Sequence, residues 1–289
     1  MHSEGDSQAP AIAPLVHDGL ACALLAPAGA RRGGVVILHG AGSCKENHLD
    51  FARACAVAGL TAIVFDQRGH GASEGALDAA AVDDVAAIAG LLAPGPVFLR
   101  GSSMGGFLAL AAAERAGARA VVAICPASTQ LLLGGLRDGR FDFRADRPAL
   151  EQLVGSVDLR RAAAASGPNL MLLHAERDER VPVEHSAMLH AAAPGSRFVR
   201  VAGGDHGSVQ HDAELQASSV RFLLERGRSG GAADMAGKVR KPRCRLAGTR
   251  AVVNRLRAAR AARRGRHRSR RRCRRAARRR RRRPRRAGG

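Results

Sequence analysis

Gly101-Ser102-Ser103-Met104-Gly105 reads as Gly-x-Ser-x-Gly, the frame in which a serine hydroxyl becomes a nucleophile for acyl transfer. An apolar, strand-like run over 96–100 feeds the pattern, and an alanine-rich helical stretch over 107–116 leaves it. A serine at the apex of so tight a strand-to-helix turn is held in a strained conformation. Its hydroxyl projects from the sheet edge, with the first free N–H groups of the helix beside it. The glycines follow from the same geometry, since a Cβ at Gly101 or Gly105 would collide where the backbone doubles back. The pentapeptide alone would also suit a flexible surface loop, because Gly and Ser are common in this chain; the flanking strand and helix favour the turn.

Such a serine needs a base to take its proton, an acid to orient that base, and N–H donors where the oxyanion forms. Each has a candidate after a strand. Asp178 lies in the loop after the run 170–174, with Glu176 and Glu179 as rivals. His206 lies after the run 197–201, in Gly203-Gly204-Asp205-His206-Gly207-Ser208, with His211 as its rival. The oxyanion hole draws one N–H from Met104, directly after the nucleophile, and a second from the glycine-rich bend His39-Gly40-Ala41-Gly42, where Ala41 is the chosen donor and His39 a structural side chain. The competing reading makes Asp178 a loop carboxylate capping the next helix and His206 a turn residue. Agreement of three elements in position, and the order Ser, Asp, His along the chain, favour the catalytic one.

The elements that must position these groups alternate between short apolar runs and alanine-rich helices, the pattern of a mostly parallel sheet covered on both faces. Eight strands are predicted over 11–16, 20–26, 35–39, 61–66, 97–100, 120–124, 170–174 and 197–201, the first two joined as a hairpin through His17-Asp18-Gly19. Helices are predicted over 48–58, 77–92, 107–116, 183–192 and 218–225. The connection over 126–168 is far longer than an ordinary crossover and has apolar positions of its own, so a small helical cap is expected over 127–167.

Charge divides the chain in two. Of 47 Lys and Arg, 27 fall in residues 228–289 beside one acid, Asp234, whereas residues 1–227 carry 20 basic and 24 acidic side chains, a net of −4. The body over 1–227 is therefore expected to fold, and the Arg-rich tail over 228–289, with its run 278–283, to remain disordered. The tail reads either as an arm giving non-specific binding to nucleic acid and other polyanions, or as a stretch without selected function. Its lack of aromatic residues for base stacking favours the second. Six cysteines without metal-ligand spacing point to a reducing compartment, and no secretory leader or bilayer-spanning run is visible, so a cytoplasmic protein without membrane attachment is expected.

Five stretches together resemble the α/β-hydrolase fold superfamily, and within it the bacterial dienelactone-hydrolase-like and serine-aminopeptidase-like esterases and lipases. They are Leu38-His39-Gly40-Ala41-Gly42, the run from Phe65 to Ser73 with Asp66-Gln67-Arg68-Gly69-His70-Gly71, the serine turn, the Asp178 loop with its trailing Val181-Pro182, and Gly204-Asp205-His206. They span about residues 35–210; the tail matches nothing in the family. Dienelactone hydrolases proper carry a cysteine where this chain has Ser103. The resemblance implies that the Asp66–Ser73 stretch is a structural turn, with His70 a buried hydrogen-bonding residue. It also implies hydrolysis of a small carboxylic ester through an acyl-serine, with no cofactor or metal; the shortness of the cap and the absence of Trp and Tyr point to a shallow pocket and a short acyl chain. Two rivals stand beside that reading. An aminopeptidase or amidase on the same machinery would use Asp142, Asp146 or Glu151 of the cap to hold a substrate ammonium; a polyanion-binding protein would act through the tail.

Overall fold

The computed structural model describes residues 10–228. Eight strands form one sheet: β1 (Ile12–His17), β2 (Leu20–Leu25), β3 (Gly33–Leu38), β4 (Leu60–Phe65), β5 (Val97–Ser102), β6 (Ala118–Ile124), β7 (Leu170–Ala175) and β8 (Arg197–Val201). Their spatial order is β1-β2-β4-β3-β5-β6-β7-β8; β2 runs antiparallel to β1 and β4, and all other pairings are parallel. The hairpin takes positive φ at both turn residues, 47° at Asp18 and 81° at Gly19, which matches the twist of the strands it joins. β2, β3, β4 and β7 are buried along their whole length, as continuous apolar runs covered on both faces should be, while the edge strands β1 and β8 alternate with exposed positions.

The period of two splits the core into two layers. Val36, Leu38, Ile63, Leu99, Val121 and Leu172 face one side, under α2 (Ala81–Gly90), α3 (Met104–Ala112) and the cap. Val35, Ile37, Val64, Phe98, Val122 and Leu173 face the other, under α1 (Leu49–Val57) and α8 (Ala213–Arg228). Between β6 and β7 stand α4 (Thr129–Arg137), α5 (Arg147–Ser156) and α6 (Leu159–Ser166), and α7 (Val183–Ala192) joins β7 to β8. Side-chain oxygens of Ser128, Asp146 and Asp158 accept the amides of Leu131, Ala149 and Arg161 and so start α4, α5 and α6.

Four expected boundaries move for physical reasons. The helix after Ser103 begins at Met104, three residues earlier than expected, because close packing overrides the poor helix propensity of Gly105 and Gly106. The helix expected over 77–92 begins only at Ala81, since Leu77 pairs with Ala145 in an isolated bridge and the Asp78 carboxylate takes the Ala80 amide at 2.8 Å. The helix expected over 218–225 runs over Ala213–Arg228, one residue into the stretch assigned to the basic tail. In the connection 127–167, α6 packs against α3 and α7 as the crossover helix of β6 and β7, which leaves α4 and α5 as the cap proper. Residues 229–289, the rest of the predicted tail with Cys244 and Cys273, lie outside the described residues. Among the described residues, Cys22, Cys44, Cys55 and Cys125 are free thiols, and no helix is long and apolar enough to cross a membrane.

Candidate active site

The C-terminal ends of β3, β5, β7 and β8 deliver the site. β5 runs through Ser102, a single residue makes the turn, and α3 begins at once, so Ser103 takes φ 52° and ψ −120°. That is strained backbone for a residue with a Cβ. A Cβ on Gly101 would land on the Gly105 carbonyl, and one on Gly105 on the carbonyls of Leu38 and His39, so both glycines are required by close approach. Ser103 holds the N-cap position without a side-chain capping bond, which leaves Oγ free. Its own N–H donates to Ile124 O at 2.9 Å, tying the turn to the end of β6.

The structure brings Asp178 and His206 together. His206 Nδ1 donates to both carboxylate oxygens of Asp178, at 2.8 and 3.0 Å, so its proton sits on Nδ1 and Nε2 is left as the basic nitrogen. Asp178 is fully enclosed and accepts the amides of Arg180 and Val181, each at 2.9 Å. Burial opposes its ionisation, yet the hydrogen bonds from His174, His206 and those two amides outweigh it and hold the carboxyl well below the usual carboxylate range. The rivals are engaged elsewhere: Glu176 pairs with Arg200 at 3.3 Å, Glu179 accepts from Arg180 Nε at 3.3 Å and from the backbone N–H of His206, not its ring, at 3.2 Å, and His211 pairs with Asp50 at 2.9 Å. The loop presenting His206 is shaped by the Asp205 carboxylate, which accepts the amides of Gly207 and Ser208 at 2.9 and 2.8 Å.

Two neighbours of the pair escaped sequence reasoning. His174, at the end of β7, puts Nε2 between Val181 O at 2.8 Å and Asp178 Oδ2 at 3.3 Å, so Asp178 lies between two imidazoles. Only the spacing of four residues, His174 to Asp178, hinted at this. Cys125 follows Ile124 at φ 41°, and its thiol lies within 4.8 Å of the ligand atoms of Asp178 and His206. Thiol, carboxylate and imidazole are donor types that hold metal ions, and these three are the one such group among the described residues. Burial pushes the Cys125 thiol far up, the reverse of what ligation needs. Ser103 Oγ makes no hydrogen bond to His206 among the described residues; contacts of this type commonly tighten only around substrate.

Beside Ser103 lies the loop after β3. A Cβ on Gly40 would stand 3.3 Å from Ser103 Cβ. The N–H groups of Ala41 and of Met104, the first residue of α3, are not engaged by any described residue. Met104 also lines a small apolar cleft shared by Phe107 and Leu108 of α3, Leu132 and Leu136 of α4, and Phe141 and Phe143. The acids proposed for a substrate ammonium are elsewhere: Asp142 and Asp146 are exposed, Asp146 is occupied in capping α5, and none of the three lines the cleft. His70 is buried as expected, with Nδ1 donating to Arg68 O at 3.1 Å and its ring on Phe143.

Comparison with known proteins agrees with this architecture. A family profile described as serine aminopeptidase S33 matches residues 29–132, which include the loop after β3 and the serine turn. Est1E from Butyrivibrio proteoclasticus superposes with a TM-score of 0.59 at 16% identity, covering 74% of this chain and 98% of its own. A Paleococcus ferrophilus monoacylglycerol lipase gives a TM-score of 0.57 at 19% identity over 72% of this chain and 99% of its own. XC6422 from Xanthomonas campestris, an α/β serine hydrolase without a lid, gives 0.54 at 19% identity over 77% and 95%. No curated protein matches.

Proposed function

We propose that this chain, a member of the α/β-hydrolase superfamily, is a serine hydrolase that cleaves a small carboxylic ester through an acyl-serine intermediate. In this reading Ser103 Oγ attacks the ester carbonyl while His206 Nε2 takes its proton. Asp178 holds the imidazole with Nδ1 protonated and stabilises the imidazolium. The N–H groups of Ala41 and Met104 receive the oxyanion. His206 then returns the proton to the departing alkoxide, and water repeats the sequence to release the acid.

The observation that carries the proposal is the pairing of His206 Nδ1 with the enclosed Asp178 carboxylate at 2.8 Å, on loops that leave the same sheet edge as the strained Ser103 turn. The apolar lining of the cleft supports an acyl group rather than a charged one. A second reading, an aminopeptidase or amidase, draws on the description of the matching profile. Turnover on a panel of nitrophenyl esters and aminoacyl amides, with Ser103→Ala as control, separates the two. Ester turnover that disappears in Ser103→Ala is the expected result. Amide turnover faster than ester turnover would establish the second reading instead.

A further inference from the structure

The oxyanion-hole loop is tied to the turn after β4 by hydrogen bonds that fix the proton on His39. This ring is completely buried, and its Nε2 stands 3.1 Å from the backbone N–H of Gln67. An amide N–H only donates, so Nε2 bears no proton and Nδ1 bears it. Nδ1–H in turn donates to Gly40 O at 2.8 Å. Ser43 N–H gives the same carbonyl a second bond at 3.2 Å, and Gln67 Nε2 donates to His39 O at 2.7 Å. Downstream, Lys45 fastens the loop again, with its N–H and Nζ each 2.8 Å from the buried Asp66 carboxylate.

In a planar trans peptide the C=O and the following N–H point in opposite directions. The Gly40 carbonyl is turned to His39, so the N–H of Ala41 is turned the other way, and Gly40 itself lies against Ser103. We infer that His39 is a positioning residue for catalysis: its Nδ1–H holds the Gly40–Ala41 peptide in the one orientation that offers the Ala41 N–H to the oxyanion. The inference rests on the acyl-serine reading of the site. Without the Nδ1–H bond only the longer Ser43 N–H contact, at 3.2 Å, holds the Gly40 carbonyl, and a flip of the peptide would replace the donor by a carbonyl oxygen facing the developing charge. Burial keeps the ring neutral, lowering its pKa to about 4, which suits the arrangement because a protonated Nε2 could not accept from Gln67.

The test uses the full chain, three His39 variants and Ser103→Ala, with kcat and KM for a nitrophenyl ester and the affinity of an arylboronic acid, whose tetrahedral adduct on serine places an oxygen in the hole. His39→Leu should lower kcat by about 10²-fold, the order seen when one oxyanion donor is lost, with KM within about threefold and boronate affinity falling alongside kcat. His39→Asn puts an amide nitrogen where Nδ1 stands and should recover most of the loss; His39→Gln reaches the Nε2 position instead and should not. Should His39→Leu fail to fold, the Asn and Gln variants decide between them. Equal kcat in those two, or a loss confined to KM, would overturn the assignment. Full turnover in Ser103→Ala would overturn the underlying reading, whereas an essential Ser103 with equal Asn and Gln variants removes only the role of His39.

Discussion

Ser103, His206 and Asp178 act as one unit in the proposed chemistry, so their substitutions should not add. Ser103→Ala and His206→Ala should each lower kcat by several orders of magnitude, leaving a rate about 10³–10⁴ over water from the oxyanion hole and binding. The double variant should be little worse than either, and His211→Ala, whose ring pairs with Asp50, should be nearly neutral. Additive losses in the double variant would place His206 outside the reaction. Asp178→Asn should hurt far more than Glu176→Gln or Glu179→Gln, since only Asp178 holds the His206 ring. The depressed pKa of Asp178 has a thermodynamic counterpart. Its contribution to stability is complete above the unfolded value near 3.9 and declines as pH falls from there toward the folded pKa. The stability gap between parent and Asp178→Asn, from urea unfolding, should therefore narrow between pH 6 and pH 3.

The places of Ser103, Asp178 and His206 could be read from the sequence because each lies in the turn or loop that follows a strand, and strand ends can be read from apolar runs. His39, His174 and Lys45 were opaque in their roles for the opposite reason. Their partners are fixed by the fold, as with His39 and Gln67, 28 positions apart, or Lys45 and Asp66, 21 apart. At the scale of elements, the connection 126–168 reads as a cap from its length and its apolar positions, and neither distinguishes a cap helix from a crossover helix. What separates α6 from α4 and α5 is packing against α3 and α7. The narrow cleft between α3 and the cap should favour short acyl chains, because each further methylene gains about 0.8 kcal/mol only where it can be buried. Measured kcat/KM should peak at short nitrophenyl esters, and Leu136→Phe should move the peak shorter still. A rate rising steadily to long fatty-acyl esters in the parent would contradict the cleft as the acyl site. Gly105→Ala tests the turn itself. Its Cβ meets the carbonyls of Leu38 and His39, and a loss of about 3 kcal/mol in unfolding free energy is expected for such overpacking.

Across the whole molecule, the described body folds around a two-layer core that also encloses polar groups. His48 is 1% exposed, with Nε2 unpartnered and with Arg100, His211 and Asp50 around it. Burial first, then the Arg100 charge, lowers its pKa to about 3, so it stays neutral in the fold while the unfolded chain protonates below about 6.5. Stability should be complete above that value and fall as pH drops, by up to about 1.4 kcal/mol per pH unit for this one proton. Relative to the parent, His48→Leu should gain stability between pH 7 and pH 5; a constant difference would mean that His48 is not held neutral. The claim on which the account depends most is the nucleophile, and site-resolved mass spectrometry after a fluorophosphonate probe tests it directly on the full chain. One phosphonyl group on Ser103, with loss of ester turnover in proportion to labelling, is the predicted result. Labelling of Ser102 or another side chain, or turnover that persists in fully labelled protein, would contradict it.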